Sequence, residues 1–316
     1  MKMQFEHISV LPQEVLDFAP ESTASILDCT LGGGGHSRRL LEKFPQATLA
    51  GIDRDALAVE AAAGCLQAYT ARTKLNQASF SELQDVFNNL SEPLFDYVLA
   101  DIGLSSEQLA RPERGFSFMQ EGPLDMRMDP DRQQTTAAHL LNTASEHELI
   151  QILRNYGEER FARKIVAKIL AVRQVKPFES TRDLADLVSS VIPRRLQKKG
   201  FNPATKTFQA LRIAVNNELQ ELTELLAQIP IRMKQGGRLA VISFHSLEDR
   251  IVKQQFRKWE NPCVCPTDLP YCICGEKSLG RVLTRRPVNA STKEVADNPR
   301  SRSAHLRVFA FEKTDL

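Results

Sequence analysis

The sequence predicts an α/β protein, an open, doubly wound and mostly parallel sheet interrupted by an inserted all-helical domain. Three observations support this fold class. Short apolar runs alternate with helical patterns over the first hundred residues, a glycine-rich turn follows the first run, and a helix-only stretch precedes a second α/β region. Strands that alternate with helices at this spacing are typical of βαβ units.

The first α/β region contains four candidate strands, each followed by a turn or a helix. The predicted strands are 24–30, 48–52, 75–78 and 95–102. The predicted helices are 35–44, 55–71 and 82–90. The carboxyl ends of the four strands should share one edge of a parallel sheet, where open α/β sheets bind ligands.

The rhythm changes after the fourth strand. Residues 111–131 are rich in Pro and Gly and predict a loop, and 136–192 predict helices only. Ser145 with Glu148 forms a capping-box pattern, and Ser180 is a second N-cap candidate. A long amphipathic helix at 207–229, a strand at 238–244, a helix at 249–259 and a strand at 306–311 follow. We therefore expect a discontinuous α/β domain (1–110 and 206–316) and an inserted helical domain (111–205).

Length and composition favour an ordinary globular protein. The chain has 316 residues, 42% hydrophobic and 25% charged. Since no apolar stretch approaches the ~18 residues of a membrane span, we expect no membrane association. The first residues lack the pattern of a signal peptide, which predicts a cytoplasmic protein.

The net charge of +2 is distributed unevenly. Residues 1–110 carry seven Lys/Arg and 15 Asp/Glu, whereas 160–212 carry 13 Lys/Arg and three acids. Such a basic excess favours a nucleic-acid partner, although solvated helices also carry excess lysine. Two groups within it have the spacing of a phosphate-binding surface: Arg160, Arg163, Lys164 and Lys168, and Arg194, Arg195, Lys198 and Lys199.

The glycine-rich turn at 28–36 (DCTLGGGGH) is typical of a nucleoside-cofactor site. The dinucleotide fingerprint needs a third glycine, but Ser37 or Arg38 occupies that position in the two registers. The carboxylate of Asp28 would repel a pyrophosphate and attract the ammonium and sulfonium of S-adenosylmethionine. The turn therefore predicts S-adenosylmethionine as the cofactor.

Three further residues follow predicted strands in the order that such a site requires. Asp53 ends the second strand and can accept hydrogen bonds from ribose hydroxyls. Phe80 follows the third strand and can pack on adenine, and Asp101 ends the fourth, beside the position of the reactive methyl group.

Nine sequence blocks in order resemble the bacterial small-subunit rRNA cytosine-N4 methyltransferases, the RsmH or MraW family. They include GGGGHS at 32–37, GPLDMRMD at 122–129, SFHSLEDR at 243–250 and NPRSRS at 298–303. The other five blocks are 7–11, 101–108, 113–118, 156–161 and 207–212.

This resemblance implies a class I (Rossmann-like) S-adenosylmethionine-dependent methyltransferase whose inserted helical domain recognises rRNA. It also implies a cytidine of 16S rRNA, at the decoding centre (P site) of the small ribosomal subunit, as the substrate. The cofactor contacts implied by the resemblance are Gly34, Gly35, His36, Asp53, Phe80, Asp101 and Gln108.

Methylation of the N4 amine requires a group that accepts its N–H hydrogens, and Asp101 is the candidate. DNA amino-methyltransferases carry prolines and an aromatic residue after this acid, whereas this chain has Ile102, Gly103 and Leu104. The residue that stacks on a flipped base is therefore left open among candidates that could equally be core residues. These candidates are Phe116, Phe118, Phe244 and His245.

Two neighbouring motifs complete the expected substrate site. Ser243 and Phe244 precede His245, and we expect the His245 loop and Asp101 to surround the cytosine. Asp125 and Arg127 fit a substrate role or a structural salt bridge almost equally well.

The cysteine pairs Cys263/Cys265 and Cys272/Cys274 form a CxC-x6-CxC pattern. Four thiolates suit zinc, but paired ligands of structural zinc are more often two to four residues apart. Free thiols are the alternative, and no metal is assigned from the pattern alone.

Two other functions compete with this prediction. A methyltransferase acting on DNA or a small amine would keep the cofactor site, and a non-catalytic RNA-binding or ribosome-assembly protein would keep the basic helices. The oligomeric state is left open, with a homodimer as one alternative.

Overall fold

The computed structural model describes residues 9–90, 94–197, 202–266, 271 and 273–312. The chain divides into two compact units, Met1–Gly103 with Leu219–Leu316, and Leu104–Glu218. These boundaries enclose a longer central unit than the 111–205 expected from the sequence. The helices at either end of the expected insert therefore belong to the central unit.

The first unit is built on one eight-stranded sheet. Its strands are β1 Ser25–Asp28, β2 Thr48–Asp53, β3 Thr73–Gln77, β4 Phe95–Asp101, β5 Met233–Ser243, β6 Gly280–Val282, β7 Val288–Asn289 and β8 His305–Phe311. The strand order is β3-β2-β1-β4-β5-β8-β6, with β7 also pairing with β8. Strands β1 to β5 run parallel, and β8 is antiparallel to β5. The predicted α/β fold class, with its mostly parallel sheet, is confirmed.

Thirteen α-helices are found in the described parts of the chain. In chain order α1 to α13, they are Pro12–Phe18, Gly35–Lys43, Ala56–Cys65, Leu83–Asn88, Ser106–Ala110, Ala137–Thr143, Glu146–Asn155, Ala162–Arg173, Thr181–Val191, Thr205–Asn216, Glu218–Gln228, Ser246–Glu260 and Thr292–Asp297. None of them has both the length and the apolar character required to span a bilayer.

Alternating side chains of the central strands fill two separate cores, one on each face of the sheet. On β4, Val98 and Ala100 belong to one core, and Tyr97 and Leu99 to the other. All four are fully buried. Burial of both faces explains why these strands are continuous apolar runs in the sequence.

The predicted helix at 207–229 is wrong in one respect, because the chain breaks it at Asn217. Asn217 adopts a left-handed conformation with φ 51°, and its N–H caps the carbonyl of Ile213. Asparagine tolerates this conformation better than other non-glycine residues, which makes it a common helix terminator. The predicted helix at 55–71 also ends early, at Cys65, and continues as a 3₁₀ turn over Gln67–Arg72.

Two strands and three helices were not predicted from the sequence. Strands β6 and β7 contain three and two residues, and helices α1, α5 and α13 contain seven, five and six. Elements this short carry too few residues to show a hydrophobic period. The two strands form because β8 offers hydrogen bonds to each of them.

The central unit has its own apolar core, to which α6 to α10 contribute. The predicted capping box is confirmed at the start of α7, where the N–H of Ser145 donates to Glu148 Oε2 (2.8 Å) and the N–H of Glu148 to Ser145 Oγ (3.3 Å). Ser180 caps α9 in the same way, with Asp183 as its partner. Local capping chemistry therefore fixed these two helix starts.

Candidate active site

The glycine-rich turn connects the end of β1 to the start of α2. Gly34 has φ 78°, and a Cβ atom at this position would lie 3.2 Å from the Cα of Ala62 and 3.2 Å from the Cβ of Cys65. A side chain here would therefore be strained and would also crowd α3. The turn presents its backbone at the carboxyl edge of the sheet, where the N-terminus of α2 begins.

Asp28 holds this turn from beneath. Its Oδ2 accepts a hydrogen bond from Ser37 Oγ (2.6 Å), and its Oδ1 accepts one from the N–H of Thr30 (3.0 Å). Burial raises the pKa of Asp28 to about 6, against the opposing effect of these hydrogen bonds. The sequence assigned Asp28 to the cofactor's positive groups. Its observed contacts add a second role, that of fixing the turn.

Asp53 joins the turn to the end of β2. Its Oδ2 accepts a hydrogen bond from the N–H of Gly32 (2.9 Å), and its Oδ1 accepts one from the N–H of Asp55 (2.9 Å). Desolvation raises the pKa of Asp53 to about 6. Each carboxylate oxygen has a second lone pair, so both can also accept a hydrogen bond from a ribose hydroxyl.

His36 and Asp101 face each other across the same edge. His36 Nε2 lies 3.6 Å from Asp101 Oδ2, and the backbone N–H of Asp101 donates to Thr30 Oγ1 (2.6 Å). His36 Nε2 and Asp101 Oδ1 are buried and have no hydrogen-bond partner among the described residues. Buried polar atoms are usually paired, so this pair has the character of a ligand-binding site.

Phe80 lies at the carboxyl end of β3, as predicted, in a 3₁₀ turn over Phe80–Glu82. Its ring is partly buried against one core of the sheet, and its carbonyl accepts a hydrogen bond from Gln228 Nε2 (2.9 Å). A half-exposed ring in this position is available for an apolar ligand face.

The segment Ser243 to His245 follows β5, which is the neighbour of β4. Asp101 pairs with Ile242 in the register of these two strands, so this segment and Asp101 share one rim. His245 caps α12, with its Nδ1 accepting from the N–H of Glu248 (3.4 Å) and its Nε2 lying 3.0 Å from Glu248 Oε1. The observed contacts of His245 are therefore those of a helix cap, and its predicted catalytic role stays a prediction.

Phe244 and Ser243 differ in exposure. Ser243 is buried, and its Oγ lies 3.5 Å from the carbonyl of His305. The ring of Phe244 is partly buried and packs over Gly103, where a Cβ atom would lie 3.1 Å from ring carbon Cδ2. Gly103 has φ 134°, so glycine is favoured there both by the backbone and by the ring.

Three predicted site residues lie in the central unit and are used by its own structure. Gln108 Oε1 accepts a hydrogen bond from the N–H of Ser105 (3.1 Å) in the capping box of α5. Phe116 is buried in the core of that unit, and Phe118 packs edge-on against Phe208 with ring centroids 4.9 Å apart. The ring of Phe116 is buried in this unit, and its stacking role stays a prediction.

Asp125 and Arg127 form a two-pronged salt bridge within the central unit. Arg127 Nε donates to Asp125 Oδ1 (2.7 Å) and Nη2 donates to Oδ2 (2.7 Å). Nη1 of the same guanidinium donates to the carbonyls of Pro130 (3.0 Å) and Gln133 (2.7 Å). Burial opposes ionisation of Asp125, but the hydrogen bonds from Arg127 together hold its pKa below the usual range. The structural alternative accounts for the observed contacts of this pair.

Comparison with known proteins places this geometry in a family. The model of the MraW methylase family matches residues 4–312. The chain belongs to the MraW methylase family. The resemblance drawn from nine sequence blocks is thereby confirmed.

Relatives match this methylase over nearly the full length of both chains. "Ribosomal RNA small subunit methyltransferase H" of Pelobacter propionicus is 48% identical over 306 residues, which cover 96% of this chain and 97% of the relative. The protein of the same name from Trichlorobacter lovleyi has the same identity and coverage. Among solved structures, the N-methyltransferase NodS of Bradyrhizobium japonicum matches with a TM-score of 0.40 and 7% identity, covering 96% of this chain and 94% of NodS.

As an MraW methylase with a class I sheet, the protein uses S-adenosylmethionine as its cofactor, and the residues at the sheet edge fit this molecule. Asp53 retains acceptor capacity for a ribose, and Asp101 and His36 present buried polar atoms without described partners. Four carboxyl-edge predictions, Gly34, His36, Asp53 and Asp101, therefore lie at one edge of the first unit.

The sequence did not reveal the two side chains that hold this site together, Thr30 and Ser37. Ser37 donates to Asp28, and Thr30 connects β1 to the backbone of Asp101. A small hydroxyl residue is common in any turn, so neither stands out without its partner. The available signal was position, since Thr30 lies two residues after the end of β1 and Ser37 lies in the first turn of α2.

Replacement of Gly34 by alanine should destabilise the turn. The left-handed φ and the close approach to α3 lead us to expect a loss of about 1–2 kcal/mol in the free energy of unfolding, together with weaker cofactor binding. Gly64→Ala is the matched control, because Gly64 lies within α3 and nothing lies within 4 Å of a Cβ atom there. It should be neutral or stabilising by about 0.5–1 kcal/mol in urea denaturation. Equal effects of the two substitutions would contradict the strain argument.

The affinity for S-adenosylmethionine should rise with pH. Because Asp53 and Asp28 have pKa values of about 6, both hold a proton at low pH in the folded protein, and a cationic ligand favours the ionised carboxylates. We expect roughly tenfold tighter binding at about pH 7 than at about pH 5, measured by calorimetry. Asp53→Asn should bind more weakly at neutral pH and show a flatter dependence, with the remaining slope due to Asp28. Unchanged affinity in this variant would refute the ribose role.

Proposed function

We propose that this methylase transfers the methyl group of S-adenosylmethionine to the N4 amine of a cytidine in 16S rRNA, at the decoding centre (P site) of the small ribosomal subunit. Its membership of the MraW methylase family and the names of its relatives support an rRNA substrate in the small subunit. The observation that carries the choice of an amine is the acceptor oxygen of Asp101, which is buried without a described hydrogen-bond partner.

An exocyclic amine of cytosine is a poor nucleophile, because its lone pair is delocalised into the ring. S-adenosylmethionine supplies the electrophilic methyl group. Asp101 accepts a hydrogen bond from one N–H and holds the nitrogen in line with the methyl group. Acceptance of the methyl group would make the amine more acidic, and Asp101 is placed to receive the proton that N4 releases.

Neighbouring groups hold Asp101 in this role. Thr30 Oγ1 fixes its backbone N–H at 2.6 Å, and His36 Nε2 lies 3.6 Å from Oδ2. The side chain of Asp101 stays 18% exposed beside this contact, so the carboxylate can still be reached by a substrate group. His36, on the first turn of α2, therefore acts as a positioning residue for the carboxylate and contacts the cofactor at the same edge.

A base must leave its stack to reach Asp101, and it then needs an apolar face on which to rest. Phe244 is the candidate in the first unit, because its ring is only partly buried and lies beside Gly103, two residues beyond Asp101. Ser243 and His245 position this ring, Ser243 by pairing with His305 of β8 at the end of β5 and His245 by capping α12.

Recognition of the rRNA is assigned to the central unit, in agreement with the role expected for the insert. Arg163, Lys164 and Lys168 are exposed on α8, Arg160 is exposed just before it, and Arg194 and Arg195 are exposed in a 3₁₀ turn. Lys198 and Lys199, which the sequence added to this group, lie outside the described residues. Exposed cations favour phosphate binding, because their contacts with the phosphates release the counterions that are condensed on the nucleic acid.

Other basic residues of the same region are already used by the fold. Arg173 Nη1 donates to the carbonyls of Leu141 (2.9 Å) and Ala144 (2.8 Å), and Lys176 Nζ lies 3.2 Å from Asp183 Oδ1. These contacts separate structural cations from the exposed set.

A protein of this kind needs no membrane, and we place its action on ribosomal subunits in the cytoplasm.

Mass spectrometry of 16S rRNA tests the proposed reaction. In cells that lack this protein, one cytidine should lose its N4 methyl group, and the wild-type gene should restore it. Asp101→Asn should not restore it, and its single-turnover rate should fall about a hundredfold or more, since removing one positioned acceptor of this kind costs that much. Intact N4 methylation in cells without the protein would reject the substrate. A near-normal rate for Asp101→Asn would reject the role of the carboxylate alone.

Affinity for rRNA should weaken with salt through the exposed cations of α8. We expect Lys164→Gln with Lys168→Gln to lower the slope of log affinity against log salt by about 2, since each phosphate contact contributes roughly one unit. Arg257→Gln with Lys258→Gln, which removes two exposed charges from α12 of the first unit, is the matched control. Fluorescence anisotropy with a 16S rRNA fragment measures both. Identical slopes in the two variants would exclude α8 as a phosphate-binding surface.

A further inference from the structure

Three cysteine sulfurs converge in the segment that connects α12 to β6. The Sγ atoms of Cys263, Cys265 and Cys274 all lie within 4.8 Å of one another. The fourth cysteine of the sequence pattern, Cys272, lies outside the described residues. The methyl-transfer site uses none of these cysteines.

The spacing of the sulfurs matches metal ligands. Cys274 Sγ lies 3.9 Å from Cys263 Sγ. A disulfide would require about 2.05 Å between them. Two thiolates bound to one tetrahedral zinc ion, each at ~2.3 Å, lie about 3.8 Å apart. The observed separation excludes a disulfide and is compatible with two ligands on one ion.

A backbone hydrogen bond to one of the sulfurs also favours metal-binding thiolates over neutral thiols. The N–H of Ile273 donates to Cys265 Sγ at 3.3 Å, across eight residues of chain. Sulfur is a weak acceptor as a thiol and a much better one as a thiolate. Hydrogen bonds of this kind are the outer-shell contacts that orient and stabilise metal-binding ligands.

The described residues of this segment provide no apolar core that could hold the sulfurs together. Of the described residues between 261 and 279, none is buried. Val264, Tyr271 and Ile273, which alternate with the cysteines, are 75%, 80% and 77% exposed. The base of the segment is closed by the N–H of Leu279, which donates to the carbonyl of Trp259 (2.9 Å). A small segment with no core is commonly stabilised by a disulfide or a metal ion.

We propose that Cys263, Cys265 and Cys274 bind one structural zinc ion as thiolates. Because all three sulfurs lie within 4.8 Å, they fit a single ion better than a cluster of several metals. A further donor completes the tetrahedron. Binding of the ion fixes the path of the chain from α12 to β6, the strand that pairs with β8. It also keeps the apolar side chains next to the cysteines facing outward.

Metal analysis of the full-length protein, purified with a reductant and without chelators, is the first test. We expect about one zinc ion per chain, released when the thiols are titrated with a mercurial reagent. Cys263→Ser and Cys274→Ser should each lower zinc affinity by about a hundredfold or more. Cys65→Ser is the matched control, because Cys65 lies on α3, away from the segment, and it should retain zinc.

Cobalt substitution makes the test independent of whether a variant folds. Cobalt added to the demetallated wild-type protein should give the visible and sulfur charge-transfer bands of a tetrahedral thiolate site. Removal of zinc should also increase tryptic cleavage within 261–279, with little change elsewhere. Protein that contains no zinc, takes up none under reducing conditions and gives no tetrahedral cobalt spectrum would overturn the proposal. So would a Cys263–Cys274 disulfide found by mass spectrometry in freshly isolated protein, and iron or copper in place of zinc would reject the choice of ion.

Discussion

The carboxylate of Asp28 lies beneath the glycine-rich turn, and the geometry of the site depends on its hydrogen bonds. It fixes Ser37 on α2 and the backbone of Thr30, and the hydroxyl of Thr30 then fixes the backbone of Asp101. Asp53 adds a parallel connection from β2 to Gly32. The ends of three strands are thus held together by hydrogen bonds between side chains and backbone, which set positions more narrowly than apolar packing alone.

This arrangement costs stability. Burial raises the pKa values of Asp28 and Asp53 to about 6, so the folded state holds these protons more tightly than the unfolded state does. Their contribution to stability is therefore most favourable below about pH 4, declines as pH rises through about 6, and is unfavourable at neutral pH. A sulfonium and an ammonium bound nearby would offset that cost. A site built for a cationic ligand is therefore expected to be less stable without it.

The residues of the site that lie at strand ends could be predicted from the sequence, because the apolar runs show where the strands end. Asp53 and Asp101 were predicted because each ends an apolar run, and the capping box of Ser145 was predicted from local chemistry alone. The break at Asn217 was not predicted, and the sequence left the burial of Phe116 open. Periodicity continues through a single left-handed residue, and an aromatic residue in a loop rich in Pro and Gly has the same sequence pattern whether it packs inward or faces a ligand. Tertiary contacts decided both cases.

The departure from the DNA amino-methyltransferase motif after Asp101 has a physical counterpart in the structure. The loop after β4 carries no aromatic residue at 102 or 103, and Gly103 leaves its Cβ position to the ring of Phe244 from the loop after β5. Any side chain at 103 would adopt an unfavourable φ and would push this ring away. In the proposed function, the apolar face for the base therefore comes from the β5 loop and not from the β4 loop. The proposed reaction needs an acid next to the amine, at the end of β4, whereas a stacking face can come from any loop on the same rim.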